Sequence, residues 1–157
     1  MRSREILLKY SIYYLSRFSS SKKNLNFILK KKIRRMTEDK RERFELYKEI
    51  DVIIEKLEEK KFINDENYGF TKIQYLLSQG KSKNFIIQYL NQKGLQKETI
   101  NKQIEIVYNV DLNIEKESAI KYIKKKNLLN KDISYEKKLA KMARAGFSYE
   151  IVKTLLK

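Results

Sequence analysis

The segment Lys22-Lys23-Asn24-Leu25-Asn26-Phe27-Ile28-Leu29-Lys30-Lys31-Lys32-Ile33-Arg34-Arg35 holds the most informative chemistry in this chain. Its apolar residues recur at spacings of three and four, as on a helix with one buried face. At 100° per residue Leu25, Ile28, Leu29, Ile33 and Met36 share that face. Lys23, Lys30, Lys31 and Arg34 fall opposite, with Phe27 near the centre of the exposed side. Cations around an aromatic ring grip phosphates while the ring stacks on a base or packs into a partner. The competing reading is that Phe27 packs against the helix before or after it and the lysines are merely solvated.

A second basic zone lies towards the other end. Lys121, Lys124, Lys125 and Lys126 are followed by Lys137, Lys138, Lys141 and Arg144. Lys137, Lys141 and Arg144 share a helical face at i, i+4 and i+7, opposite part of a Leu139–Met142 core face. Salt links to Glu136 or Glu150 are the alternative, each worth less than about 1 kcal/mol if exposed. The stretch from Ser82 to Val107 also has the outline of a helix-turn-helix. Its recognition helix would be Lys97-Glu98-Thr99-Ile100-Asn101-Lys102-Gln103, with Asn101 and Gln103 able to read adenine edges. The same pattern recurs near Gly146, so structural repetition explains it better than groove reading.

Residues suited to catalysis are missing. The chain has no His and no Cys, which removes the imidazole base, the thiolate and the usual zinc ligands. Asp39, Glu42 and Glu45 lack a partner group that would make a metal site or an acid/base pair. Glycines are too sparse for a phosphate-cradling loop. No catalytic residue, metal site or cofactor is expected, and the chain reads as a binder.

The elements that must position these residues are helices. There is no proline, glycine occurs four times, and good helix formers abound. Gly80, Gly94 and Gly146 sit where helices would end in a left-handed cap. Ser21, Thr37, Asn64, Ser82, Asp111, Ser134 and Ser148 sit where helices would begin. Nine helices follow, at about 4–18, 22–35, 38–60, 65–79, 83–93, 97–109, 113–127, 135–145 and 149–156. Apolar spacing within them predicts core positions such as Leu46, Ile50, Ile53, Ile54 and Leu57, and Ile100, Ile104 and Val107. Tyr10, Tyr14 and Tyr122 are expected to pack rather than to offer stacking platforms.

The pattern repeats. A shift of 52 residues lays Ser82 on Ser134, Ile87 on Leu139, Leu90 on Met142, Gly94 on Gly146, Leu95 on Phe147 and Ile100 on Val152. A looser shift of 61 lays Ser21, Leu25 and Leu29 on Ser82, Ile86 and Leu90. The expected architecture is all-α: three tandem three-helix repeats over 1–61, 62–110 and 111–157, stacked as an elongated, curved array. Charge follows the same division. The 157 residues carry 36 Lys and Arg against 20 Asp and Glu, a formal charge of +16. The excess is concentrated in residues 1–48 and 111–157, while 49–110 balance. Two basic ends around a neutral middle point to a polyanionic partner that touches the ends. The start Met1-Arg2-Ser3-Arg4-Glu5 leads into no secretory core, and no apolar run approaches a membrane span, so the cytoplasm is the expected compartment.

Three segments together resemble the RecX family, regulatory proteins of the RecA recombinase. The first is Tyr14-Leu15-Ser16-Arg17 with Lys22, Lys23, Leu25 and the basic run that follows. The second is Phe62-Ile63-Asn64-Asp65-Glu66-Asn67-Tyr68, then Gly80-Lys81-Ser82, Ile86, Leu90 and Gln92-Lys93-Gly94-Leu95. The third runs from Lys137 through Arg144-Ala145-Gly146-Phe147-Ser148-Tyr149-Glu150 to Val152, and it is the most specific. Departures are Lys61, where the family usually has Gly, Ser82, where a Pro usually opens the helix, and lysine in place of many arginines. The resemblance implies a monomeric regulator lying along a RecA filament on single-stranded DNA, where it damps strand exchange and repressor self-cleavage. The expected filament-binding residues are Arg17, Lys22, Lys23, Phe27, Lys30, Lys31, Arg34, Arg35, Lys124, Lys125, Lys137, Lys141 and Arg144. A direct DNA- or RNA-binding regulator working through residues 97–107 is the rival.

Overall fold

The computed structural model describes residues 2–111 and 113–156, and among them there are nine α-helices and no strand. They are α1 (Ser3–Arg17), α2 (Lys22–Met36), α3 (Lys40–Glu59), α4 (Asp65–Ser78), α5 (Lys83–Gln92), α6 (Lys97–Tyr108), α7 (Ile114–Lys125), α8 (Tyr135–Arg144) and α9 (Tyr149–Leu155). The all-helical expectation holds, with each helix within about three residues of its predicted bounds. The chain divides into two compact units, one of Met1–Tyr68 with Lys93–Leu95, the other of Gly69–Gln92 with Gln96–Lys157.

In the first unit α2 lies against α1 and α3. Leu7, Leu25, Leu29, Ile33, Ile50 and Leu57 are almost wholly excluded from solvent, joined by Leu46, Ile53, Ile54 and Ile63. Tyr10, Tyr14 and Tyr47 border this core. Each such aliphatic side chain contributes about 1.5–3 kcal/mol by leaving water. In the second unit Ala119, Ile123, Leu128, Met142, Phe147, Val152 and Leu156 form a cluster, with Tyr122 packed on it. Ile86, Leu90, Ile100, Ile104 and Val107 are buried as their spacing predicts.

Helix starts follow the expected caps with two corrections. The Ser21, Asn64, Ser82 and Ser134 side chains each accept a backbone N–H three residues on. Thr37 is not the cap of α3. Asp39 is: one oxygen of its carboxylate accepts from the amides of both Arg41 and Glu42, while the Thr37 hydroxyl accepts the amide of Asp39. Thr37 instead ends α2. Asp111 does not cap α7 directly either. It accepts from the backbone of Asn113, the residue that precedes the helix.

Four helices end in one way. At the ends of α3, α4, α7 and α8 a residue with positive φ (Lys61, Gly80, Asn127, Gly146) is followed by an N–H that bonds five residues back. Phe62 donates to Leu57 at 2.8 Å, Lys81 to Leu76 at 3.0 Å, Leu128 to Ile123 at 3.0 Å and Phe147 to Met142 at 3.1 Å. This double-bonded stop satisfies carbonyls that the helix leaves unpaired. Lys61 takes φ 61° where a glycine would do so at less cost.

The repeat in the sequence becomes a repeated joint. Ser21 caps α2, is buried, and its hydroxyl donates to the carbonyl of Lys93 at 2.6 Å. Ser82 caps α5, is buried, and donates to the carbonyl of Ala145 at 2.6 Å. The next residue in each case is a glycine with positive φ, Gly94 or Gly146. A methyl on Gly94 would overlap the stem of Lys23, and one on Gly146 would come 2.5 Å from the Ser82 hydroxyl. A carboxylate completes each joint. Asp65 accepts the Lys22 amide at 2.9 Å, and Glu115 accepts the Lys83 amide at 3.0 Å. In both, a helix N-terminus faces a negative charge, the arrangement its dipole favours.

A candidate nucleic-acid interface

The buried face of α2 fixes what its other face presents. With Leu25, Leu29 and Ile33 in the core, Lys23, Phe27, Lys31 and Arg34 point outward at i, i+4, i+8 and i+11, and all are exposed. Phe27 is 54% exposed, so it does not pack against α1 or α3. The Lys31 ammonium lies 5.4 Å from the centre of its ring. Arg35 is exposed at the end of the helix, and Lys30, half-buried, has its ammonium 5.9 Å from the ring of Tyr47. Arg17, at the end of α1, sits with its guanidinium 4.9 Å from the ring of Tyr13, itself 55% exposed. None of these cations forms an ion pair among the described residues.

Lys22 differs. Its ammonium is 2.7 Å from Glu58, and that hydrogen bond, supported by the nearby Glu58 and Asp65 charges, raises its pKa against the opposing effect of burial. Its charge is therefore paired with Glu58 at the surface. Lys32, left out of the expected set, resembles Lys31 in having an aromatic seat, 4.9 Å from the ring of Tyr10.

The second basic zone is built in the second unit. Lys124 and Lys125 are exposed in the last turn of α7, where cations suit the helix dipole. Lys137, Lys141 and Arg144 are exposed along α8, whose opposite side buries Met142. The alternative salt links are not formed among the described residues: Glu150 pairs with Lys153 at 2.8 Å. Lys81 and Lys126 line one concave surface with Lys141 and Arg144. Lys126 belongs to the basic run expected there, whereas Lys81 lies in the charge-balanced stretch 49–110 and is brought beside α8 only by folding.

The helix-turn-helix reading loses one of its two amide readers, while Asn101 stays exposed. Gln103 is only 4% exposed and counts with Ile100, Ile104 and Val107 on the inner side of α6. It cannot reach a base edge. Among the described residues no cluster of acidic side chains could hold a metal ion, and no helix is long and apolar enough to cross a membrane.

No family model matches the chain. A regulatory protein RecX of Myxococcus xanthus is 28% identical over 155 aligned residues, which span 93% of this chain and 81% of the relative. RecX proteins of Streptococcus agalactiae are 32% identical over 108 residues, covering 68% of this chain but only 42% of their own length. The crystal structure of RecX from Lactobacillus salivarius superposes with a TM-score of 0.71 at 22% identity, over 96% of this chain and 92% of that one. A second crystal structure of a regulatory protein RecX gives 0.69 at 17% identity, over 96% and 70%. The chain belongs to the RecX family.

Two of its three departures from the RecX pattern fall at helix boundaries and leave the backbone intact. Lys61 adopts the left-handed conformation that the family's usual glycine would supply, and the turn closes with the same pair of bonds as the other three. Ser82 does what a proline there could not. Its hydroxyl serves the cap of α5 and the Ala145 carbonyl together.

Proposed function

We propose that this chain regulates a RecA recombinase by binding its filament on single-stranded DNA and, most directly, by inhibiting it. The observation that carries the reading is the outer face of α2. Lys23, Lys31 and Arg34 share the exposed face of Phe27, without ion pairs among the described residues, in a member of a family of regulatory proteins. That face suits phosphate and an apolar or aromatic surface at once.

In this reading the three segments 1–61, 62–110 and 111–157 act as modules. The basic first and third reach DNA phosphates or acidic filament surface, and the balanced middle packs on protein. Binding across neighbouring recombinase subunits would destabilise or cap the filament and so lower strand exchange and repressor self-cleavage in DNA repair. The role needs no cofactor and no second copy of the chain, and it belongs in the cytoplasm. Burial of Gln103 removes one of the two amides that sequence-specific duplex reading through residues 97–107 would use.

The test is a time course of RecA ATPase on single-stranded DNA after addition of substoichiometric protein. Progressive loss of activity well below one copy per RecA subunit supports capping or severing. Unchanged hydrolysis, with no retention on recombinase-coated strands, overturns the proposal.

A further inference from the structure

The second unit contains a concavity that the α2 face does not explain. A cavity of about 300 Å³ is lined by Lys81, Lys126, Lys141 and Arg144 together with the rings of Phe85 and Tyr122. Four cations converge there, and no carboxylate is among the described residues that line it. Gathering like charges in a concave surface costs energy unless an anion relieves it, and concavity concentrates the field. Phe85 and Arg144 also border a second cavity, of about 400 Å³, whose walls include Asn84 and Gln88. Asn84 is held there by a bond from its amide to the Gly146 carbonyl at 3.2 Å. The Phe85 ring between the two is 37% exposed, with the Lys81 ammonium 4.6 Å from its centre. Each cavity lies at the lower end of the size range of small-ligand pockets.

We infer that this double cavity seats one nucleotide of a single strand: a phosphate among Lys81, Lys126, Lys141 and Arg144, and its base on the Phe85 ring beside Asn84 and Gln88. A duplex keeps its bases stacked and paired, so the ring selects an unpaired strand. The amides of Asn84 and Gln88 offer both donors and acceptors and so tolerate any base. The inference extends the proposed function by locating strand contact in the second unit, and it is testable without a recombinase.

The experiment measures anisotropy of labelled oligothymidine with the full chain, beside an abasic strand of equal length and the matching duplex. Phe85→Ala is expected to weaken oligothymidine binding at least about fivefold, as loss of one stacked base would. The abasic strand should be bound more weakly by wild type and be indifferent to Phe85→Ala. Phe85→Tyr should restore binding, which separates stacking from any loss of folding. Lys126→Ala with Lys141→Ala should flatten the log–log salt slope by about 0.7 per lost phosphate contact. Equal affinity of wild type for abasic and thymidine strands would overturn the inference, as would Phe85→Ala binding within twofold of wild type. Displacement by micromolar thymidine monophosphate would reassign the seat to a free nucleotide. If the seat fails in these assays while retention on recombinase-coated strands persists, the proposed function stands without it.

Discussion

The Ser21 hydroxyl reaches the carbonyl of Lys93, 72 residues further along the chain, at 2.6 Å. The same oxygen accepts the Asn24 amide and so caps α2. One small side chain thus starts a helix and fastens it to a distant turn. Ser82 repeats the arrangement with Phe85 and Ala145. Ser134, the third serine of the series, caps α8 but is exposed and makes no such second bond among the described residues.

Comparing the serines isolates the long-range bond. Ser134→Ala should cost about 1 kcal/mol, the ordinary loss of a cap. Ser82→Ala should cost about 1–3 kcal/mol more, because it also orphans the Ala145 carbonyl. Urea denaturation of the two variants measures the difference. Equal midpoints would mean that the second bond contributes nothing.

The left-handed positions make a paired prediction of opposite sign. Lys61→Gly should stabilise by about 1 kcal/mol, since a lysine at positive φ carries backbone strain. That is a rise in Tm of about 2–4 °C. Gly94→Ala should destabilise by at least about 1 kcal/mol, from φ 79° and from overlap with the Lys23 stem. Thermal melts followed by circular dichroism distinguish them.

Glu115 gives the second joint a pH dependence. Burial pushes its carboxyl up from the ordinary 4.5, partly offset by the bond from the Lys83 amide, the Lys83 charge and the Tyr108 hydroxyl. The folded chain therefore holds this proton more tightly than the unfolded chain. The resulting stability is complete below about 4.5 and is lost as pH rises through the higher folded value. Glu115→Gln removes the titration and keeps an acceptor for the amide. The wild-type urea midpoint, relative to that of the variant, should rise as pH falls from neutrality towards 4.5. A constant difference across that window would show that the carboxyl is not perturbed.

On α2 the salt dependence of binding separates the cations without an ion pair among the described residues from Lys22, which is paired. Lys23→Ala, Lys30→Ala and Arg34→Ala together should weaken binding to recombinase-coated strands. They should also lower the log–log salt slope by about 2, at about 0.7 per phosphate contact. Lys22→Ala should leave the slope unchanged, because Glu58 already neutralises that ammonium. Equal slopes for the triple variant and wild type would remove α2 from the contact surface.

Local physics made much of this fold legible in the residues. Apolar spacing placed Leu25, Leu29 and Ile33 inside and left Phe27 and Lys31 outside, and serines and glycines marked the helix ends. What stayed hidden depends on distant neighbours. A cap is visible at Ser21, but nothing near it in the chain tells that its hydroxyl meets Lys93. Asp39 rather than Thr37 starts α3, because α2 ends at Thr37 and the amides of the next helix converge on the Asp39 carboxylate. Gln103 is polar yet faces inward, because Ile100, Ile104 and Val107 set the face of α6 and carry it with them. Lys81 is hidden in a charge-balanced stretch of the chain, whereas the cavity gathers it with Lys126, Lys141 and Arg144 from separate helices and turns.

The serine joints also have a chemical consequence for how the chain lets go of its target. A hydroxyl bonded to a carbonyl is uncharged on both sides, so added electrolyte scarcely weakens it. Contacts made by lysine with phosphate fade steeply under the same conditions. Rising ionic strength should therefore detach an intact, still folded molecule, ready to engage again once the salt is diluted.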